Sequence, residues 1–343
     1  ADAGLDLSGV NRDRIGVAVG TGMGGAHTLD DAYHELYAQG VDRVRPFTLI
    51  SAMHNAPAAN LSIEFGLRGP SHTYSSACAS SSVAIGEAAR QIRHGYADIM
   101  LAGGTESLLT LGVIRAWEAL RVLARVDVAH PETSCRPFAA DRTGLVLGEG
   151  AGFVVLEELS SAQSRGAKIY AELAGYGANS DAHHLTQPDA AGQTQAMRLA
   201  LLDAGMEPED IDHINAHGTA TVAGDAAETA AIKEVFGRHA RHVPISATKA
   251  LHGHLMGAGG AVEFIAALLA LRHETIPPTA HLHVPDPACD LDYVPNVARP
   301  APGIRAAMSS SFAFGGGNAV LIARKLHDQD TRAAPGARRE VNT

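Results

Sequence analysis

Apolar and polar positions alternate between two periods along this chain. Residues 15–19 form a short β-branched run closed by Gly20 and predict a buried strand, and residues 30–37 carry apolar positions at helical spacing. Residues 71–74 read as extended, and 79–92 as an alanine-rich helix ending near Gly95. Further on, 99–102 and 153–156 predict buried strands, 193–204 a helix stopped at Gly205, and 211–215 another strand. Helices over 225–236 and 258–273 precede strands at 306–310 and 319–323. Alternation of this kind predicts a layered α/β architecture with largely parallel central strands.

Two stretches share a layout: a strand, a serine cluster, then Cys78 with its helix, and later a strand followed by Ser309, Ser310, Ser311 and the loop Phe312 to Gly317. The likeness suggests two related halves. The proline-rich passage 277–302 reads as a surface excursion, because strand-like sequence resumes after it. From about residue 327 the charge-, alanine- and proline-rich tail has the composition of a disordered segment.

Composition narrows the classes. The 343 residues are 46% hydrophobic and 19% charged with 36 glycines, which suits a large α/β protein with a well-buried core. No apolar stretch reaches the roughly 18 residues of a membrane span and no charged-then-apolar leader opens the chain, so the expectation is a cytoplasmic protein without a membrane contact. A formal charge of −10 argues against non-specific nucleic-acid binding, while leaving room for a local basic patch that docks an acidic partner. Arg115, Arg121 and Arg125, near helical spacing, are candidates for that patch, with a solvated helix face as the plainer alternative. Three distant cysteines, Cys78, Cys135 and Cys289, imply neither a disulfide framework nor a zinc site. Among the 18 histidines, His183-His184, His252-x-His254 and His281-x-His283 invite a metal reading, but none comes with a second ligand pair at finger-like or H-E-x-x-H spacing, so no metal is expected.

Cys78 follows an extended run and opens a helix. In that position unpaired backbone N–H groups and the positive end of the dipole lower a thiol's pKa and can also hold an oxyanion, although a cysteine among alanines is more often just a small buried hydrophobe. Gly20-Thr21-Gly22-Met23-Gly24-Gly25 satisfies G-x-G-x-x-G, but no second strand ending in an acid follows, so a tight turn lining another pocket is favoured over a dinucleotide site. His217 emerges after one strand and Lys249 with His254 after another, at the ends where open α/β sheets place their sites. Glu263, on the helix after Lys249, is a candidate counter-charge for a lysine that is seldom buried unpaired.

If the sheet brings Cys78, His217 and His254 together, a thiol can take an acyl group while two imidazole N–H donors stabilise the enolate of a second thioester. Decarboxylation of a malonyl thioester gives such an enolate without a strong base.

At this point the chain resembles the elongating β-ketoacyl-acyl carrier protein synthases. The likeness covers roughly residues 16–324 and rests on five separated signatures: the Cys78 turn, 215–221, 249–254, 142–150 and 311–318. It implies a thiolase-like fold, two βαβαβ halves in five alternating layers, with the N-terminal portion absent here, since members carry a further core strand before the segment that begins at Ala1. The halves would be 1–165, carrying Cys78, and 166–326, carrying His217 and His254, followed by a disordered tail at 327–343. It further implies that Cys78 carries the acyl chain, that His217 and His254 assist decarboxylation, and that Lys249 and Glu263 order the site electrostatically. The backbone N–H groups of Cys78 and Phe314 would form the oxyanion hole, with the Phe314 ring gating a pocket that also includes Phe312. Thr219 and Thr221 would hold a phosphopantetheine arm, and Met23 would line the acyl tunnel. No cofactor is expected beyond that arm, which an acyl carrier protein brings, and assembly would be as a homodimer or with a related synthase subunit. Ala220 stands where serine is usual and Gly317 where threonine is common, which bears on gating and chain length. The alternatives are a silent chain-length-factor-like partner, from which Cys78 would normally be lost, and a dinucleotide-dependent oxidoreductase.

Overall fold

The computed structural model describes residues 2–326. A four-stranded sheet, ordered β2-β1-β3-β4, is built from β1 (Ile15–Gly20), β2 (Ser71–Tyr74), β3 (Ile99–Glu106) and β4 (Gly150–Glu157). A five-stranded sheet, ordered β5-β11-β10-β6-β7, follows from β5 (Glu172–Ser180), β6 (His213–Asn215), β7 (Ile245–Ser246), β10 (Ala306–Phe312) and β11 (Gly317–Arg324). A small ribbon of β8 (Thr275–Ile276) and β9 (Arg299–Pro300) lies apart from both. The strands are less parallel than the alternation predicts: β4 runs antiparallel to β3, and β11 antiparallel to both β10 and β5. For β10 and β11 a tight link explains this, because they form a hairpin that needs no crossover helix. β5 escapes the sequence pattern because alanine and glycine fill much of it.

The helices are α1 (Ala26–Ala38), α2 (Thr48–Ala52), α3 (Ala56–Phe65), α4 (Ser80–Arg93), α5 (Leu111–Ala119), α6 (Leu159–Ser164), α7 (Ala190–Ala204), α8 (Val222–Phe236), α9 (Lys249–His252) and α10 (Gly259–His273). Between the sheets, α4 and α10 form the middle layer, where Ala84, Ile85, Phe264 and Ala267 share one core with Ala18, Ala102, Ala307 and Leu321. Such small residues let helix and sheet backbones approach closely. Ala58 of α3 covers the outer face of the first sheet with Val17 and Ile99, and Met197 of α7 and Ile232 of α8 cover that of the second with Ile214 and Val320. Five layers result: α3, sheet, α4 with α10, sheet, α7 with α8.

The passage 277–302 is not a plain surface excursion. Leu282, Cys289, Tyr293 and Val294 are buried, Tyr293 stacks on Phe138 with centroids 3.8 Å apart, and its hydroxyl lies 2.6 Å from that of Thr229. The expected disordered tail at 327–343 lies outside the described residues.

Candidate active site

Cys78 sits in a short 3₁₀ turn (Ala77–Ala79) between β2 and α4, preceded by Ala77 at φ +44°. A non-glycine residue in that region is strained and persists only because its surroundings fix it. The sulfur is buried against Leu108, Trp117, Leu145 and Met256. Burial dominates its acidity and pushes the thiol up to about 11, outweighing the Lys249 cation and the backbone N–H groups of Phe314 and Cys78 that act on the sulfur in the opposite sense. The lowered pKa expected from the helix start is therefore not found: desolvation of a thiolate costs more than these N–H groups return.

His254 comes from the turn after α9. Its N–H donates to Val146 O at 2.6 Å and its carbonyl accepts from Gly148 N at 3.0 Å, so the segment around residues 142–150 works as a splint for this histidine. Gly148 permits the approach, since a Cβ there would lie 2.6 Å from His252 O. At the other end of the segment, buried Arg142 pairs with Asp225 at 3.3 Å and donates to Thr221 O and Val222 O at 3.2 and 3.0 Å, fixing the start of α8.

His217 leaves the end of β6. The carboxylate of Glu228, on α8, accepts both His217 N–H at 2.7 Å and Gly218 N–H at 2.8 Å. Lys249 donates to His217 O at 2.6 Å, lies 3.3 Å from His217 Nδ1 and forms a very short ion pair with Glu263. Both partners of that pair are buried. Burial raises Glu263 to about 7 against the pull of Lys249, and raises Glu228 to about 7 as well.

These contacts fix the tautomers. An ammonium only donates, so His217 Nδ1 accepts and its proton sits on Nε2. His254 Nδ1 accepts the Met256 N–H at 3.2 Å, which puts that ring's proton on Nε2 too, 3.1 Å from Cys78 Sγ. Burial, with the Lys249 charge second, holds both imidazoles well below their ordinary pKa, so both are neutral N–H donors at neutral pH. The rings meet edge to face with centroids 5.5 Å apart. The sulfur and one nitrogen of each ring lie within 4.8 Å of one another, but a metal there would need lone pairs where these bonds put protons. The arrangement suits a negatively charged oxygen instead.

A cavity of about 130 Å³ opens on Cys78, His217 and His254. Thr219, Thr221, Phe312 and Phe314 also line it, with the two threonine hydroxyls 2.9 Å apart. The Phe312 ring meets His217 edge-on at 5.9 Å, and the Phe314 ring stacks on Trp117 at 5.8 Å. Met23 is not brought to this lining: its side chain is 38% exposed and its N–H is bound to Glu106. That buried carboxylate, missed in the sequence, also accepts from Thr21 Oγ1, Gly22 N–H and Gly257 N–H. The N–H groups of the G-x-G-x-x-G turn are thus already occupied, those of Gly22 and Met23 by this acid, that of Gly24 by Thr21 Oγ1 and that of Gly25 by Ala52 O, which leaves no cradle for a pyrophosphate. Glu228 was missed too, although an acid within the apolar run 226–232 was its available signal.

The comparisons with known proteins meet this geometry. Residues 1–162 match the model of the beta-ketoacyl synthase N-terminal domain and 170–283 that of the C-terminal domain. The chain belongs to the beta-ketoacyl synthase family. Among curated relatives of this synthase family, Nodulation protein E of Rhizobium leguminosarum bv. trifolii is 49% identical over 94% of this chain and 79% of its own length. The 3-oxoacyl-[acyl-carrier-protein] synthase 2 of Staphylococcus aureus is 45% identical over 95% of this chain and 78% of its own length. Among solved structures, a type II polyketide ketosynthase in complex with its acyl-carrier protein superposes with a TM-score of 0.90 at 34% identity, covering 95% of this chain and 81% of that one. A beta-ketoacyl synthase from Burkholderia phymatum gives 0.87 at 39% identity, covering 94% and 78%. The thiolase-like synthase fold expected from the sequence is the fold found.

Proposed function

We propose that this synthase-family chain elongates acyl chains by decarboxylating condensation, with Cys78 as the acyl-bearing nucleophile. The observation that carries the assignment of roles is the convergence of two neutral Nε2–H donors on the cavity that holds the Cys78 sulfur.

An acyl thioester on a carrier arm first transfers its acyl group to Sγ: the new C–S bond forms, the carrier's C–S bond breaks, and the thiol proton leaves with the carrier sulfur. The N–H groups of Cys78 and Phe314 serve the oxyanion of this step. A malonyl thioester then places its carbonyl oxygen between His217 and His254. Loss of carbon dioxide leaves an enolate whose charge those donors stabilise, and its carbon attacks the acyl carbonyl. Cys78 departs as a thiolate and takes a proton from solvent, while the β-ketoacyl product stays on the carrier. Lys249 and Glu263 hold the His217 tautomer rather than exchanging protons with substrate.

The arm that carries the substrates is a phosphopantetheine reaching past Thr219 and Thr221, supplied by an acyl carrier protein. Retention of Cys78 favours catalysis over the role of a silent partner. Exposed Arg121 and Arg125 offer cations for the acidic carrier; they lie beyond the end of α5, not on its helical face, and Arg115 is already paired with Glu118. A second synthase-fold subunit, identical or related, has an open docking edge in β2, which ends the first sheet with Ser71 and His72 exposed.

The experiment is intact-mass spectrometry after incubation with an acyl-loaded carrier. One acyl adduct is expected, mapping to Cys78 and discharged by a malonyl-loaded carrier as a chain two carbons longer. An adduct that persists in Cys78→Ala overturns the assignment.

A further inference from the structure

Gln193, in the first turn of α7, lines the same cavity as Cys78, His217 and His254. It is 2% exposed, yet its side chain makes no hydrogen bond among the described residues, and its Oε1 is fully shut off from solvent. Leaving a primary amide unpaired in the interior is costly, and native proteins rarely tolerate it without a reason. Polar neighbours on that wall do not relieve it. Asn318 Nδ2 is committed to Asn179 and Asp181, at 3.0 and 2.6 Å, and Thr221 Oγ1 to Gly224 N–H and Thr219.

We propose that Gln193 is a substrate-positioning residue that hydrogen-bonds a secondary amide of the thioester's carrier arm. The end of the carboxamide that is not shut off donates, as Nε2, to the C=O of a peptide-like amide, and a half-turn of the amide about χ3 presents Oε1 to its N–H instead. The position favours the arm over the acyl chain. Gln193 follows Gly192, which packs against Asp181 and Asn318 of the same lining, whereas the apolar part beside Cys78 is formed by Trp117, Val122 and Leu145. An arm amide is present on both the acyl donor and the malonyl donor, so one side chain registers both half-reactions. This rests on Cys78 being the acylated residue, which wild-type adduct formation checks independently.

The test compares Gln193→Met, which keeps the volume and loses the hydrogen bonds, with wild type on three acyl donors of one chain length: a pantetheine thioester, an N-acetylcysteamine thioester, and a simple alkyl thioester without an amide. For the amide-containing donors, KM is expected to rise about five- to tenfold while kcat changes little, as for an interaction made equally in ground and transition states. The alkyl thioester should be handled alike by both proteins. The melting temperature should hold or rise, since an unpaired buried amide has been removed, and Gln193→Ala should reproduce the KM pattern if the methionine variant folds poorly. Equal losses on all three donors would overturn the proposal. If wild type itself forms no Cys78 adduct, the fault lies with the catalytic assignment instead.

Discussion

His254 Nε2 lies 3.1 Å from Cys78 Sγ while the opposite nitrogen of the same ring accepts the Met256 N–H at 3.2 Å. The backbone thereby settles which nitrogen holds the proton, and the imidazole faces the sulfur as a donor. A base that deprotonates Cys78 would need the reverse tautomer. On the proposed assignment, activation of the nucleophile and stabilisation of the enolate are thus separate tasks.

Separation of the tasks makes them separable by mutation. His254→Ala is expected to lower condensation by about 10²–10³, the usual loss for one donor to a developing oxyanion, while Cys78 acylation, served by backbone N–H groups, falls by less than about tenfold. Released labelled carbon dioxide measures the first and intact mass the second. Parallel collapse of both would show that His254 acts on the thiol.

Alkylation by iodoacetamide reports the acidity of Cys78. With the thiol pushed up to about 11 by burial, its rate should rise close to tenfold per pH unit from pH 7 to 9, without levelling off near the ordinary thiol value. Lys249→Met removes the largest influence that favours the thiolate, so the variant should react more slowly at each pH. A plateau at neutral pH would reveal a preformed thiolate.

Stability depends on pH through the same burial. His217 and His254 have folded pKa values well below the unfolded value of about 6.5, so the folded state binds fewer protons than the unfolded state. Their contribution is present above pH 6.5 and is lost as pH falls below it, at about 1.4 kcal/mol per pH unit for each histidine. Glu228 and Glu263, raised to about 7, act oppositely, losing stability as pH rises between their unfolded values and 7. His213 and His252, each lowered to about 4, act with these two histidines, and Asp225, raised to about 6, acts with the two glutamates, so the test is a difference: replacing both His217 and His254 by glutamine should change the stability slope between pH 6 and 5, relative to wild type, by up to about 2.8 kcal/mol per pH unit in favour of the acid side in urea unfolding. An unchanged slope would mean that the rings are already protonated in the folded protein.

Lys249 and Glu263 are each buried, so breaking the pair differs from removing it. Lys249→Met strands a carboxylate and Glu263→Leu strands an ammonium, each expected to cost roughly 3–5 kcal/mol, whereas the double variant should recover much of that loss. Thermal denaturation of the three variants decides this. Condensation should stay impaired in the double variant, because the His217 tautomer no longer has its donor.

The alternation of periods exposed most of the fold, since long apolar runs such as 15–19 and 258–273 have few other ways to be buried. It failed at β5, where glycine and alanine carry no period, and at 277–302, where prolines disguise a passage that buries Tyr293. In the site, Cys78, His217, His254, Lys249 and Glu263 were legible because strand ends and an unpaired lysine point to them. Their acidity was not, because desolvation depends on what closes over a residue. Glu106 was invisible for a related reason: its four donors, from Thr21, Gly22, Met23 and Gly257, all lie far from it in sequence.

That carboxylate yields the last prediction. Glu106 joins the turn after β1 to the segment 256–258, whose first residue orients His254 and is itself held at φ +45°. The joint leaves no room, since a Cβ on Gly257 would lie 2.3 Å from Gly22 N. In Glu106→Gln the new NH₂ group, whichever way the amide turns, replaces an oxygen that accepts at least one backbone N–H, so the loss should reach roughly 3 kcal/mol, against about 1 kcal/mol for Thr21→Ala, which removes one donor to Glu106 and the acceptor of the Gly24 N–H. Glu106→Gln should also slow condensation more than Cys78 acylation, because release of the 256–258 turn disturbs His254 before it disturbs the nucleophile. Urea midpoints give the first comparison and the two half-reactions the second. A Glu106→Gln protein with the wild-type midpoint would show that solvent, not this carboxylate, satisfies the turn.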